Sequence, residues 1–157
     1  MNTPNTVDLD DVDLRILTAL QNDASISNQD LAATVGVSPP TCFRRVRRLR
    51  ETGVIQKVVA LLAPEKVGKP LTAIVEIVLD VQTAEAMDAF ERVMQDEAAI
   101  VQCYRVSSGP DFIVIAIAKD MAAYHALVGR AFNAHANVRN VRTFFAIHQS
   151  KFDTRVL

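Results

Sequence analysis

The short turn Val35–Ser38, with the sequence VGVS, most constrains the fold, because it separates two segments that each carry helix signals. Ser27 stands at the N-cap position of the first segment, and Gly36 supplies its stop. Ser38 stands at the N-cap of the second, and Pro39 follows at the first helical position, where a missing N–H costs no hydrogen bond. A short helix, a tight glycine-containing turn and a second helix predict a helix-turn-helix.

Another helical pattern precedes this pair. It begins near Asp10, and Asp13 follows three residues later as the partner of a capping box. Its apolar residues recur at helical spacing, at Val12, Ile16, Leu17 and Leu20. The three helices together predict a small helical domain over residues 1–60.

Positive charge is concentrated on the last of these helices. The whole chain has a formal net charge of −1, yet five arginines lie within Arg44–Arg50. At 3.6 residues per turn, Cys42, Val46 and Leu49 share the face expected to pack on the other helices. The same spacing predicts that five residues point outward: Pro40, Thr41, Arg44, Arg47 and Arg48. It places Arg45 and Arg50 at the two sides of the buried face.

A run of like charges on a helix is usually a solvated surface, or it pairs with acidic neighbours. Glu51 is the one acidic residue close enough along this helix to pair with the run, and the remaining arginines repel one another. We therefore predict that the helix enters the major groove of double-stranded DNA. The residues predicted to contact DNA are Asn28, Ser38, Pro40, Thr41, Arg44, Arg45, Arg47 and Arg48.

The second half of the chain alternates strand and helix patterns. Val54–Leu62, VIQKVVALL, predicts a strand, and residues 61–70, with two prolines and a glycine, predict a linker to a second domain over 71–157. In that domain strands are predicted at 71–80, 100–106, 111–118 and 138–148, with helices after Thr83 and over 121–133. The order β-α-β-β-α-β predicts a ferredoxin-like sandwich, so that the whole chain is of the α+β class.

Two helices cover only one face of a four-stranded sheet. The strand DFIVIAIA, Asp111–Ala118, is apolar on both sides after its first residue. An apolar sheet face left open in one chain predicts that a second copy covers it, and hence a homodimer.

The sequence LDDVDLRILTALQNDASISNQDLAATVGVSPPTCFRRVRRLRETGVIQ, from Leu9, resembles the DNA-binding domain of the Lrp/AsnC (leucine-responsive, or feast/famine) regulators. The resemblance extends over almost the whole chain. It implies that the second half is an effector-binding and oligomerisation domain, in a homodimer that assembles further to a tetramer or an octamer. It also implies an amino acid or related small molecule as effector.

The connection Val106–Phe112, VSSGPDF, is the predicted centre of the effector site. Its backbone N–H groups could hold a carboxylate and Asp111 an ammonium group, although the same residues also suit a plain hairpin turn. The predicted effector-binding residues are Tyr104, Ser107, Ser108, Gly109, Asp111, Met121, Thr143 and Phe144. Ser108, Asn137 and Val141 depart from residues usual in the family, which favours a second hypothesis, an architectural DNA-binding protein without an effector.

Other chemistry has little support in the sequence. His125, His135 and His148 are scattered, so we expect no metal site, and no nucleotide-binding or hydrolase motif is present. We expect no cofactor, no membrane segment and a cytoplasmic location, with Cys42 and Cys103 as buried free thiols. An enzyme similar to the sirohaem decarboxylases is a third hypothesis, and the arginine-rich helix argues against it.

Overall fold

The computed structural model describes residues 7–157, which form two units. The first contains the described residues up to Ala60 together with Lys151–Leu157, and the second contains Leu61–Ser150. The sequence-based division assigned the C-terminal residues to the second domain. Their contacts place them with the first, because Arg155 donates from Nη1 to Asn22 Oδ1 at 2.9 Å and the backbone N–H of Val156 donates to Gln21 Oε1 at 2.6 Å.

Three helices build the first unit: α1 (Asp11–Asn22), α2 (Asn28–Val35) and α3 (Pro39–Glu51). The predicted caps of α1 and α2 are confirmed. Asp10 and Asp13 form a reciprocal capping box, and Ser27 Oγ accepts from the Asp30 N–H at 3.1 Å. Gly36 ends α2 at φ 74°, in the left-handed region that favours glycine. The core is aliphatic apart from one thiol and consists of Ile16, Leu17, Leu31, Ala32, Val35, Cys42 and Leu49.

The predicted strand over Val54–Leu62 is wrong. Within residues 7–70, the part of the first half that the structure describes, there is no strand. Val54 and Ile55 instead fold back onto the helical core, and the Ile55 N–H donates to Leu49 O at 2.9 Å. The rest of the segment is irregular and exposed. Its apolar and β-branched residues suit a strand, but a strand also needs a neighbour for its backbone N–H and C=O groups, and this segment pairs with no strand among the described residues.

The second unit has the predicted order of elements. These are β1 (Leu71–Leu79), α4 (Ala84–Asp96), β2 (Ile100–Arg105), β3 (Phe112–Ala118), α5 (Met121–Leu127) and β4 (Val138–Phe145). A 3₁₀ turn at Pro64–Val67 lies in the predicted linker, and α5 continues as a π-helix over Val128–Asn133. The sheet is antiparallel with strand order β2-β3-β1-β4, which is the ferredoxin-like arrangement. The last strand ends at Phe145, three residues before the predicted end.

The two faces of this sheet differ. Alternate residues of β1 and β3 pack with both helices in one core, which includes Val75, Val114, Phe90, Leu127 and Phe132. The strand register places a second set on the opposite face, which no helix covers, and we call this set the open face: Ile74, Ile113, Ile115, Ile117, Tyr104 and Phe144. Of these, Tyr104 is 53% exposed and Phe144 41%.

Candidate nucleic-acid interface and effector site

Two arginines of α3 turn inward, towards α1. Arg45 Nη1 lies 2.7 Å from Asp10 Oδ2 and 2.9 Å from Asp13 Oδ1, and Arg48 Nη2 donates to Asp13 Oδ2. The Asp13 side chain is buried, whereas the side chains of Arg45 and Arg48 are 24% and 46% exposed. The expectation that Arg48 points away from the other helices is therefore wrong. Its partner lies 35 residues away in sequence, out of reach of any argument from helical spacing.

These contacts favour the charged form of Asp10. The backbone N–H of Asp13 and the Arg45 guanidinium donate to Asp10 and lower the pKa of its carboxyl below the ordinary value. The same carboxylates, Asp10 first and then Asp13, raise the pKa of Arg45. The cluster Asp10, Asp13, Arg45 and Arg48 thus fixes α3 against α1. Contact of Arg45 or Arg48 with DNA stays a prediction, and both already have a structural role.

The other arginines of the run face solvent, as expected for Arg44 and Arg47. Arg47 Nε donates to Glu51 Oε1 at 2.7 Å in an exposed pair one turn apart, a type of pair that contributes little stability and opens easily. Arg44 and Arg50 are exposed and form no ion pair with the residues that the structure describes. Positive charge is therefore available on the outer side of α3.

The start of α3 gathers the remaining predicted DNA-contacting residues. Asn28, at the start of α2, donates from Nδ2 to the Pro39 carbonyl at 3.0 Å, which ties together the first turns of the two helices. The hydroxyls of Ser38 and Thr41 lie 2.8 Å apart, and Ser38 makes no capping bond to the backbone. Pro40 is exposed beside them. All four residues thus lie at one end of α3.

One exposed residue of this surface was not predicted from the sequence to contact DNA. Phe43 lies in the second turn of α3 and is 61% exposed. Its position directly after the buried Cys42 turns it off the core-facing side. Helical spacing alone already predicts that Phe43 is exposed, although Phe43 was not among the predicted DNA-contacting residues.

The predicted effector residues do not meet at one point within a subunit. Tyr104 and Phe144 lie on the open face but on the two edge strands β2 and β4, with β3 and β1 between them. Thr143 lies on the helix-covered face, where its hydroxyl bonds to that of Tyr124 on α5. Met121 follows the end of β3, whereas Ser107–Asp111 precede its start, and a strand of seven residues spans roughly 20 Å.

Asp111 already has partners. It is 9% exposed, and its Oδ2 accepts from the Leu79 backbone N–H at 2.7 Å and from Gln82 Nε2 at 3.2 Å. Its own N–H donates to Ile77 O at 2.9 Å. These bonds tie the connection before β3 to the end of β1. Gly109 has φ 89°, so glycine is favoured there, and the neighbouring Ser107 and Ser108 remain exposed.

Asn137, where the family usually has glycine, also has a structural role. Its side chain accepts from the Val81 N–H and donates to the Val81 carbonyl, both at 2.8 Å. The pair joins the segment before β4 to the segment after β1. The departure from the family residue is thus accompanied by new hydrogen bonds.

Other possible sites are few in the described part of the chain. An open groove of about 400 Å³ is lined by Glu91, Met94, Gln95 and residues 100–103, none of which was a predicted site residue. Across residues 7–157, no cluster of three acidic, histidine or cysteine side chains could hold a metal ion, and no helix is long and apolar enough to cross a membrane. Burial raises the pKa of both thiols, although Cys103 is only partly buried.

Comparison with known proteins assigns both halves. Residues 9–56 match the family of winged helix-turn-helix DNA-binding domains, and residues 72–156 match the Lrp/AsnC ligand-binding domain. A helix-turn-helix transcriptional regulator of Haemophilus influenzae is 36% identical over 95% of this chain and 89% of its own length. The leucine-responsive regulatory protein of Escherichia coli is 35% identical over 96% of this chain and 92% of its own.

Solved structures agree with this assignment. An AsnC-family transcriptional regulator of Agrobacterium tumefaciens superposes with a TM-score of 0.88 at 35% identity, covering 95% of this chain and 97% of that one. A transcriptional regulator of Neisseria meningitidis, solved as a complex with L-Met, superposes with a TM-score of 0.86 at 26% identity, covering 94% and 95%. The chain therefore belongs to the Lrp/AsnC family of helix-turn-helix transcriptional regulators.

Proposed function

We propose that this regulator reads double-stranded DNA with the outer face of α3, acts as a homodimer or a larger assembly, and responds to an amino acid. The observation that carries the proposal is the division of the arginine run. Arg45 and Arg48 are held by Asp13, whereas Arg44 and Arg47 face solvent, and Asn28 ties the first turn of α3, which precedes both, to α2. Side chains near the start of such a helix reach base edges in the major groove. As a DNA-binding regulator, the protein would work in the cytoplasm, with the chromosome.

A second copy of the chain is the partner that best fits two exposed surfaces. The open face carries four isoleucines beside Tyr104 and Phe144, more than a monomer usually leaves in water. The irregular segment 57–62 exposes Val58, Val59, Leu61 and Leu62 by 55–68% and has no strand neighbour among the described residues. Two-fold symmetry would present two α3 helices to a palindromic site, one helical turn or a multiple apart. Tetramers and octamers would follow from further contacts of the same kind.

The amino-acid effector is supported by the Neisseria relative, which was solved with L-Met. In this chain, exposed Ser107, Ser108 and Gly109 offer polar groups to a carboxylate. The separation of Met121 and Phe144 from this loop within one subunit favours a site completed by a neighbouring subunit.

An architectural DNA-binding protein without an effector is the second candidate. Asn137 favours this candidate. The family usually has glycine at this position, whereas here the Asn137 side chain occupies it and forms two hydrogen bonds with Val81. The occupied carboxylate of Asp111 points the same way, since it is already bonded to Leu79 and Gln82.

One experiment tests the proposal and separates the two candidates. The full chain is titrated onto a labelled operator, obtained by selection from random DNA, at 50–200 mM salt, with and without each of the twenty amino acids. If six to ten phosphates are contacted, the affinity should fall by roughly 10³–10⁵-fold across this salt range. Arg44→Ala should weaken operator binding by about 1–3 kcal/mol if Arg44 contacts a base. Arg92→Ala, the same charge change on exposed Arg92 of α4, serves as control.

The outcomes distinguish the candidates. A salt-independent affinity, or equal effects of Arg44→Ala and Arg92→Ala, would contradict DNA reading by α3. An amino acid that changes operator affinity or assembly identifies the effector class. Unchanged binding with every amino acid at millimolar concentration would favour the architectural protein.

A further inference from the structure

Phe43 is the only aromatic residue among the first sixty, yet it lies outside the core of its unit. That core is aliphatic apart from Cys42, and Phe43 is 61% exposed on α3. Large aromatic side chains usually lie in cores or at interfaces, where burying them stabilises the protein. A ring that is mostly in water contributes little to this fold, and a partner outside the chain would bury it.

The surroundings of Phe43 identify the chemistry of that partner. Helical spacing puts Pro39 one turn before it and Arg47 one turn after it on the same side of α3, with Arg44 adjacent. Arg47 is directed to Glu51, and among the described residues the arginines that stack on rings are Arg105 on Phe112 and Arg142 on Phe144. Among the described residues no arginine therefore stacks on the Phe43 ring, and the exposed Arg44 and Arg47 are its basic neighbours on the helix surface. A positively charged rim suits a polyanion and disfavours an apolar protein surface.

In the major groove, one base carries an apolar group. Thymine presents its C5-methyl there, and phenylalanine is among the side chains that contact it. We infer that Phe43 is a specificity-determining residue that packs against the 5-methyl group of a thymine in the operator. The inference rests on the proposed docking of α3 in the major groove and adds one element of the sequence that the helix selects. Guanidinium groups bound to phosphates and guanines leave this methyl group unread, whereas an aromatic ring offers it a broad apolar surface.

Replacement of thymine by deoxyuridine tests the contact, because it removes the methyl group and leaves base pairing intact. Each thymine of the selected operator is replaced singly, and the affinity of the full chain is measured for wild type, Phe43→Ala and Leu14→Ala. For wild type, one thymine per bound helix should be sensitive, with a loss of about fourfold, as expected for one buried methyl group. Phe43→Ala should bind the thymine and uracil forms of that site equally. Leu14→Ala, at an exposed apolar residue of α1, should keep the wild-type pattern.

Four results would overturn the inference. Wild type could be indifferent to every deoxyuridine, or Phe43→Ala could keep the full sensitivity at the same thymine. Phe43→Ala could also leave DNA recognition unchanged while altering sedimentation, which would assign the ring to a protein contact. If wild type selects no operator at all, the proposed docking of α3 fails and the inference fails with it. Since Phe43 is exposed, an unchanged melting temperature of Phe43→Ala verifies that the fold is intact.

Discussion

The two units expose different kinds of surface. The first leaves positive charge and one aromatic ring on α3, and every residue of that surface comes from one continuous stretch of chain. The second leaves an apolar sheet face and spreads its candidate effector residues over both faces and both ends of β3. Water solvates exposed arginines well and an apolar sheet poorly. The charged surface of α3 is thus well solvated in a single subunit, whereas we expect a second copy of the chain to cover the open face.

The largest effect is expected from a charge placed on the open face. Ile115 lies in the middle of β3, paired with Ile74 of β1. Ile115→Lys would put two ammonium groups, one from each copy, into an apolar interface, and we expect the dimer dissociation constant to rise by about 10³-fold or more. Sedimentation velocity at micromolar concentration measures this.

Val93→Lys is the matched control, because Val93 is an exposed valine on α4, away from the open face. An unaltered dimer in Ile115→Lys would show that the open face is not the interface. Another surface of the second unit would then have to form the dimer contact.

An intermediate effect is expected inside the first unit. Asp13→Asn removes the buried charge that faces Arg45 and Arg48. Breaking a fully buried ion pair costs roughly 3–5 kcal/mol, and partial exposure of both guanidinium groups reduces the expected loss of unfolding free energy to about 2–4 kcal/mol. Chemical denaturation followed by circular dichroism measures the loss.

Asp11→Asn provides the reference for this variant, since Asp11 is exposed in the same helical turn. Equal stabilities of the two variants would mean that the first unit does not depend on the Asp13 cluster.

The smallest effect concerns the C-terminal residues. Hydrogen bonds from Arg155 lower the pKa of the Asp153 carboxyl to about 2, and the same guanidinium reaches Asn22 of α1. In Arg155→Ala the pKa of Asp153 should return towards its ordinary value near 3.8, so that its titration moves to higher pH. The Asn22 side-chain amide signal should shift as well. Carboxyl and amide NMR signals report both changes.

Lys151→Ala, at an exposed residue of the same segment, should leave both signals in place. If Arg155→Ala also leaves them unchanged, the C-terminal residues do not lie on α1.

The sequence predicted what depends on near neighbours. The caps of α1 and α2, the buried side of α3 and the order of elements in the second unit all follow from residues at most a few positions apart. The orientation of Arg48 could not be predicted this way, because its partner Asp13 belongs to another helix. The strand expected at Val54–Leu62 failed for a related reason. Its residues are apolar and β-branched, but strand pairing also needs a neighbouring strand, and the described residues supply none.

The site of the second unit was the least predictable. Thr143 and Phe144 are adjacent in sequence, and a strand turns them to opposite faces. The sequence motif suggested free polar groups at Asp111, whereas the fold uses that carboxylate to hold the end of β1. If a neighbouring subunit completes the site, as we propose, one sequence contains only separate fragments of it.

The cluster around Asp13 also limits how this protein can be retargeted to new DNA. A variant library that randomised Arg45 or Arg48 would contain many unfolded members, because those side chains neutralise a buried acid. By contrast, three exposed residues of α3 take no part in the Asp13 cluster and can be exchanged at little cost to the fold: Pro40, Phe43 and Arg44. Natural divergence and laboratory selection should therefore change operator preference through these three positions, while α3 stays packed against α1.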